Sequence, residues 1–254
     1  MVRDARVFCS GGPGLGVVGV RGAVVRGVLG VGEDVFLLGY EPITGRHRVP
    51  VGVLRAGVIG GVLADLVLAG QLTVNAVGVR VSVQGEEPGD PVRGAVWQQV
   101  RYRPGSDVGY WVENLDTVPS LVLSGLLRDG LVRRIRAPRG SDWWRPAHQL
   151  RNLGSAYARG RTRQVGRALA GTDPLPGPVL ALAGILDGIG LLPLAARRSG
   201  NATPVDPGTV ARARATIRRT AHQSTHPGLC VIFATVEDLA HRTPPLRSPE
   251  PGAP

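Results

Sequence analysis

Residues 1–31 are rich in Gly and Val and carry no helical period, so the hydrophobic pattern becomes legible only at Gly32. Glu33–Leu38 (EDVFLL) reads as a short helix opening with two acids, which suits the positive end of a helix dipole. Glu41–Gly45 reads as a turn. Val51–Ala69 reads as a long helix, with Leu54, Val58, Val62 and Leu66 on one stripe and Ile59, Leu63 and Val67 beside it. So wide an apolar face predicts deep burial. Gly57, Gly60 and Gly61 each cost about 0.5–1 kcal/mol relative to Ala inside a helix. Their presence predicts another element pressed close against them. Gly70 stands where a C-terminal cap belongs.

A hairpin follows, Leu72–Val74 and Val79–Val83 flanking Asn75-Ala76-Val77-Gly78. Helices are predicted from Pro88-Gly89-Asp90 to about Val100, over Asp107–Leu115 and over Ser120–Asp129. Pro138–Asp142 reads as the tip of a second hairpin. Later come an apolar helix pair around Val179–Leu192, an arginine-faced helix over Val210–Thr220 and a last helix over Leu229–Leu239. At an offset of sixty positions, Leu66-Val67, Gly70 and Leu72 recur as Leu126-Leu127, Gly130 and Val132, helix, glycine and strand in both. Such a match arises by duplication or by the shared grammar of helix endings. The expected fold is mainly α: one helical-bundle domain over 32–240 around a buried central helix, with two small β-hairpins. Residues 1–31 are expected to be a low-complexity extension, and 241–254 a Pro-rich disordered tail.

Neither end of the hydropathy profile demands a membrane span. Arg3 and Arg6 precede an apolar stretch, but Arg21, Arg26 and many glycines break it before it resembles a signal peptide. Pro178–Ala196 is apolar except for Asp187, and an acid there together with Gly184, Gly188, Gly190 and Pro193 favours a buried helix pair. Cys9 and Cys230 form no framework, which suits a reducing, cytoplasmic setting.

Composition adds a sharper constraint. Of 254 residues 30 are cationic, all of them arginine, and the formal net charge is +11. Without lysine there is no P-loop phosphate lysine, no Schiff base and no kinase-type ATP lysine. Aromatics are only 4%, so the core falls to Val, Leu, Ala and Ile. Gly14-x-Gly16-x-x-Gly19 matches a dinucleotide fingerprint, but no adequate strand precedes it and glycines weaken the helix that must follow. His222 and His226 have i,i+4 spacing with no intervening acid and a following proline, the pattern of a solvated loop rather than a metal site. Glu86, Glu87 and Asp90 read as solvated loop carboxylates, and no Gly-x-Ser-x-Gly elbow occurs. No catalysis, cofactor or metal is expected.

A sequence pI near 11.2 points to nucleic acid or an anionic membrane surface. Between Arg128 and Arg167 lie eleven Arg and two Asp, so nine of the eleven net charges fall in that stretch. Within it Arg133, Arg134, Arg136, Arg139 and Arg145 surround Trp143 and Trp144. Arginine grips phosphate oxygens in a fork, and Trp suits a membrane–water interface. The bland alternative is a solvated arginine face with both tryptophans in the core. The same arginines suit nucleic-acid phosphates, and helix–glycine–hairpin units resemble winged helices, which makes DNA binding the alternative.

Several segments, in order, resemble the Golgi phosphoprotein 3 family, particularly its actinobacterial members. They are Glu33–Leu38, Thr44-Gly45-x-x-Arg48-Val49-Pro50, Leu63–Leu72, Pro88-Gly89-Asp90, Leu126–Val132 and Leu180–Leu186. The resemblance covers about residues 32–240. It implies a mostly helical domain whose hairpin touches a membrane or a neighbouring subunit. It also implies binding of phosphatidylinositol 4-phosphate and, in eukaryotic members, a role as adaptor for Golgi glycosyltransferases. The implied partners are thus an anionic phospholipid or phosphoinositide surface on the cytoplasmic face of a membrane, and a protein cargo or a second copy. The family's lipid site uses a Trp and an Arg near the start of the buried helix and a later Arg-x-x-Arg pair. Those positions are Pro50, Ile59, Asp116 and Pro119 here. Gln149-Leu150-Arg151-Asn152 resembles the stretch holding the later pair, with Gly154 in place of its second arginine. Headgroup contact is therefore expected from Arg46, Arg48, Arg55 and the hairpin arginines.

Overall fold

Helix α2 (Val51–Leu68) is the axis of the molecule, with most of its 18 residues buried. The computed structural model describes residues 29–41, 44–75, 77–82, 85–135, 147–150, 152–196 and 206–243, and for 81, 134–135, 147–150 and 152–153 the backbone alone. The structural statements below concern those residues. Around α2 pack α1 (Val31–Leu38), α3 (Pro91–Tyr102), α4 (Val108–Asn114), α5 (Val118–Arg128), α7 (Gly177–Gly188) and α10 (Gly228–Arg242). Helices α6 (Asn152–Leu169), α8 (Leu192–Ala196) and α9 (Pro207–Gln223) form an outer group against α7. Two separate antiparallel hairpins complete the fold, β1 (Leu72–Asn75) with β2 (Gly78–Val81) and β3 (Val132–Ile135) with β4 (Ala147–Leu150). The mainly α architecture with two hairpins is the one the sequence predicts.

The glycines of α2 act as expected. A Cβ on Gly61 would lie 2.7 Å from the Gly32 Cα, so α1 crosses α2 backbone against backbone. A Cβ on Gly60 would lie 2.6 Å from Val236 of α10 and 3.1 Å from Ile185 of α7. These contacts explain why so apolar a helix keeps residues of poor helix propensity. Val51–Leu68 is also the one helix among the described residues long and apolar enough to cross a membrane, and most of it is buried by its neighbours.

The helix endings share one device. Gly70 and Gly130 have φ of 69° and 70°. Gly70 N–H donates to Val67 and Gln71 N–H to Leu66, while Gly130 donates to Leu127 and Leu131 to Leu126. The same pair of bonds recurs at Gly190, a further sixty positions on, and also at Gly171, which lies off that offset. The shared pattern is therefore a local solution for orphan carbonyls, and it is no sign of duplication by itself.

Two boundaries move. Leu29 and Val31 belong to the core, 6% and 1% exposed, so the domain begins before Gly32. Helix α10 runs on to Arg242, two residues into the segment read as tail. The sequence pattern also leaves α6 unread, because its stripe is polar and arginine-rich. Pro178–Ala196 is the expected buried helix pair, broken at Gly190 with φ 76°. The Gly14–Gly19 fingerprint and most of the proposed extension and tail lie outside the described residues.

Candidate anionic-surface site

The arginine-rich stretch folds into the β3–β4 hairpin and α6. In the hairpin Arg133 stands opposite Gln149, and Arg134 opposite His148. Arg133 is exposed. Arg136, Arg139, Arg145, Trp143 and Trp144 lie outside the described residues. A Cβ on Gly154 would sit 2.3 Å from the Leu131 carbonyl oxygen, so the first turn of α6 presses directly on the entry to β3. No side chain fits at 154, and the arginine of the family's later pair has no room there.

Helix α6 adds cations that the sequence reading passed over. Arg159, Arg163 and Arg167 are exposed and fall at i, i+4 and i+8, one row along the helix. Arg167 pairs with Asp173 at 2.9 Å. Arg159 and Arg163 have no carboxylate partner among the described residues, and Arg163 Nε donates only to the Arg159 carbonyl. The signal was present in the spacing, but without an apolar stripe to announce a helix the four-residue interval carried no meaning. On helix α9, read as the arginine-faced helix, two of the four arginines are neutralised. Its Arg214 makes a two-pronged bond to Asp187 of α7, Nε to Oδ2 at 2.9 Å and Nη2 to Oδ1 at 2.8 Å. Arg218 lies 3.6 Å from Glu237 of α10.

The remaining candidates sit in the loop before α2 and in its first two turns. Arg46 is exposed in the loop before α2. Arg48 is exposed, and its Nε donates to the Tyr40 carbonyl at 3.1 Å. Arg55 is committed inward: it donates to the carbonyls of Val112 (3.3 Å) and Glu113 (2.6 Å) and pairs with Asp116. That guanidinium clamps α2 to the α4–α5 turn. It is not placed as a free phosphate ligand.

Behind the α6 row lies a buried polar group. Arg161 Nε donates to Asp34 Oδ2 at 2.6 Å, and Arg161 Nη1 donates to Gln164 at 2.6 Å. The Asp34 side chain is fully buried and that of Arg161 is 10% exposed. Burial pushes the Asp34 carboxyl up to about 7 although Arg161 pulls it down. Asp65 of α2 accepts from the Val31 N–H at 3.0 Å and the Gly32 N–H at 3.5 Å, holding the start of α1. Burial raises Asp65 to about 6, against the pull of those two amides. Among the described residues no group of His, Cys, Asp and Glu is arranged to hold a metal.

A family model described as Golgi phosphoprotein 3 (GPP34) matches residues 31–227. The chain belongs to that family. No curated protein matches it. At Pro50, Ile59, Asp116 and Pro119, the four positions that the resemblance assigns to the family's lipid site, this member carries none of the implied side chains. Pro50 precedes α2, Ile59 is fully buried in it, and Asp116 receives Arg55 from α2. The region is thus spatially coherent, since α2 and the α4–α5 turn meet there. Its chemistry differs, with an exposed carboxylate at Asp116 where the resemblance implies a cation.

Proposed function

We propose that this member of the Golgi phosphoprotein 3 family is a peripheral membrane protein that adheres reversibly to anionic phospholipid on the cytoplasmic face of a membrane and catalyses no reaction. The observation that carries this is the exposed row Arg159, Arg163 and Arg167 on α6, continuous in the chain with the arginine hairpin that begins at Arg133. Two of the three have no carboxylate partner among the described residues. Each arginine at an anionic membrane is worth about 1 kcal/mol, so four or five give useful reversible adhesion. Arg46 and Arg48 are secondary contacts in this reading. Since the implied phosphatidylinositol 4-phosphate positions carry no matching side chains, the binding is to anionic phosphate in general rather than to one headgroup.

The test is flotation with phosphatidylglycerol vesicles over a salt series, beside vesicles containing phosphatidylinositol 4-phosphate at equal charge and a duplex-DNA shift assay. Expected are binding at low salt, loss as salt rises, and similar affinity for both vesicles. Replacing Arg159, Arg163 and Arg167 by Gln, or Arg133, Arg134, Arg136, Arg139 and Arg145 by Gln, is expected to weaken binding. Absence of vesicle binding at low salt overturns the proposal. A DNA shift without vesicle binding would favour the alternative, although α2, the helix ahead of the first hairpin, is buried and has no face to enter a groove.

A further inference from the structure

We propose that Arg161 is a positioning residue: its buried pair with Asp34 keys the rotation of α6, so that the row Arg159, Arg163 and Arg167 faces outward. This rests on the anionic-surface reading above and adds a means of control to it. At 3.6 residues per turn, Arg161 points almost opposite the centre of that row. The face it shares carries Gly154, Ser155, Ala158 and Ala168, with Tyr157 and Val165 as larger side chains beside Arg161. Gly154 and Gly166 let α6 approach the Leu131 and Ala195 carbonyls, but the alanines and the serine bury little area and add little to the choice of rotation. The ion pair does distinguish, because a buried guanidinium turned away from its carboxylate has no compensation in the core.

The other end of the pair is fixed from the centre of the molecule. Asp65 holds the first amides of α1, and Gly32 lies against Gly61, so α1 cannot turn without disturbing α2. Position passes from α2 to α1, from Asp34 to Arg161, and from there to the outer arginines. The groups facing Asp34 are Arg161 and Tyr157 of α6 and Asp65 of α2. Its neighbour Glu33 is coupled instead to Asp90, Arg93 and Asp129 at the start of α3 and the end of α5. From α7 the titratable group is Asp187, held by Arg214. Protonating Asp34 therefore leaves Arg161 without its counter-charge, and α6 loses the contact that sets its register. Acidification ordinarily strengthens binding to anionic surfaces by adding positive charge. This arrangement gives the opposite sign.

The experiment measures binding to phosphatidylglycerol vesicles from pH 8 to pH 6 for the wild type, for Asp34→Leu/Arg161→Met and for Arg159→Gln/Arg163→Gln/Arg167→Gln. The paired apolar replacement removes both buried charges together, so it is expected to fold with an unchanged circular dichroism spectrum. The wild type is expected to bind more weakly as pH falls. The Leu/Met variant is expected to bind about fivefold more weakly at pH 8, the equivalent of one arginine contact, and to lose that fall. A Leu/Met variant that folds and keeps wild-type affinity and pH profile overturns the inference. If that variant does not fold, the wild-type profile decides, and affinity that is flat or rises toward pH 6 overturns it. Should the triple Gln variant bind as the wild type does, the surface reading itself fails and the inference with it.

Discussion

Gly61 of α2 and Gly32 of α1 meet backbone to backbone, with a Cβ on Gly61 destined to lie 2.7 Å from the Gly32 Cα. The first turn of α1 can approach α2 this closely only because both positions lack side chains. Replacing Gly61 by Ala forces the helices apart and is expected to destabilise the protein by about 1–3 kcal/mol. Gly160 is the contrasting case, exposed in the middle of α6 with nothing within 4 Å of its would-be Cβ. Gly160→Ala is expected to stabilise by about 0.5–1 kcal/mol through helix propensity. Urea unfolding of the two variants checks both signs.

Arg55 separates structural from surface arginines. Its Nη2 donates to the Val112 and Glu113 carbonyls and pairs with Asp116, so its charge already faces a carboxylate. Arg55→Gln is expected to lower stability by about 1–2 kcal/mol as those carbonyls lose a charged donor. Vesicle binding by the folded variant is expected to stay unchanged. Flotation beside a denaturation curve reads the two effects separately.

Two buried acids set a pH dependence of stability. Asp34 is raised to about 7 and Asp65 to about 6, both above the ordinary carboxylate value near 4. The native state therefore holds these protons after the unfolded chain has released them. Their contribution is fully present below about pH 4 and is lost as pH rises through about 6 and 7. The urea midpoint is expected to fall between pH 4.5 and pH 7.5, and Asp65→Asn is expected to flatten the lower part of that fall. A midpoint rising across the whole window contradicts the assignment.

The arginine row predicts a salt signature. At about 0.15 M salt the screening length is about 8 Å, so adhesion through exposed arginines weakens steeply. Replacing Arg159 or Arg163 alone by Gln is expected to cost about fivefold in vesicle affinity at low salt and little at high salt. Arg167→Gln is expected to cost less, because Asp173 already neutralises part of its charge. A vesicle titration at two ionic strengths checks the ranking.

Much of the helical skeleton was legible because apolar periodicity reports burial, and burial is what α2, α7 and α10 experience. Glycines inside α2 announced close neighbours for the same reason: a poor helix former persists where a side chain has no room. Helix α6 was illegible because its inner face is mostly small, interrupted by Arg161, and its outer face is charged, so only a faint hydrophobic period marks it. The site was legible only in part. Charge counting located the stretch from Arg128 to Arg167, but counting treats every arginine alike.

The sequence by itself determined the mainly helical fold, the central helix, the hairpins, the family likeness and the concentration of positive charge. These follow from local pattern and composition, which act along the chain. Only the tertiary structure decided which arginines point outward. Arg55 and Arg214 are spent on Asp116 and Asp187, Arg161 on Asp34, while Arg159 and Arg163 remain open to solvent. The partners of the first three lie 61, 27 and 127 positions away in the chain. Ion pairing depends on distance in space, and folding alone sets that distance.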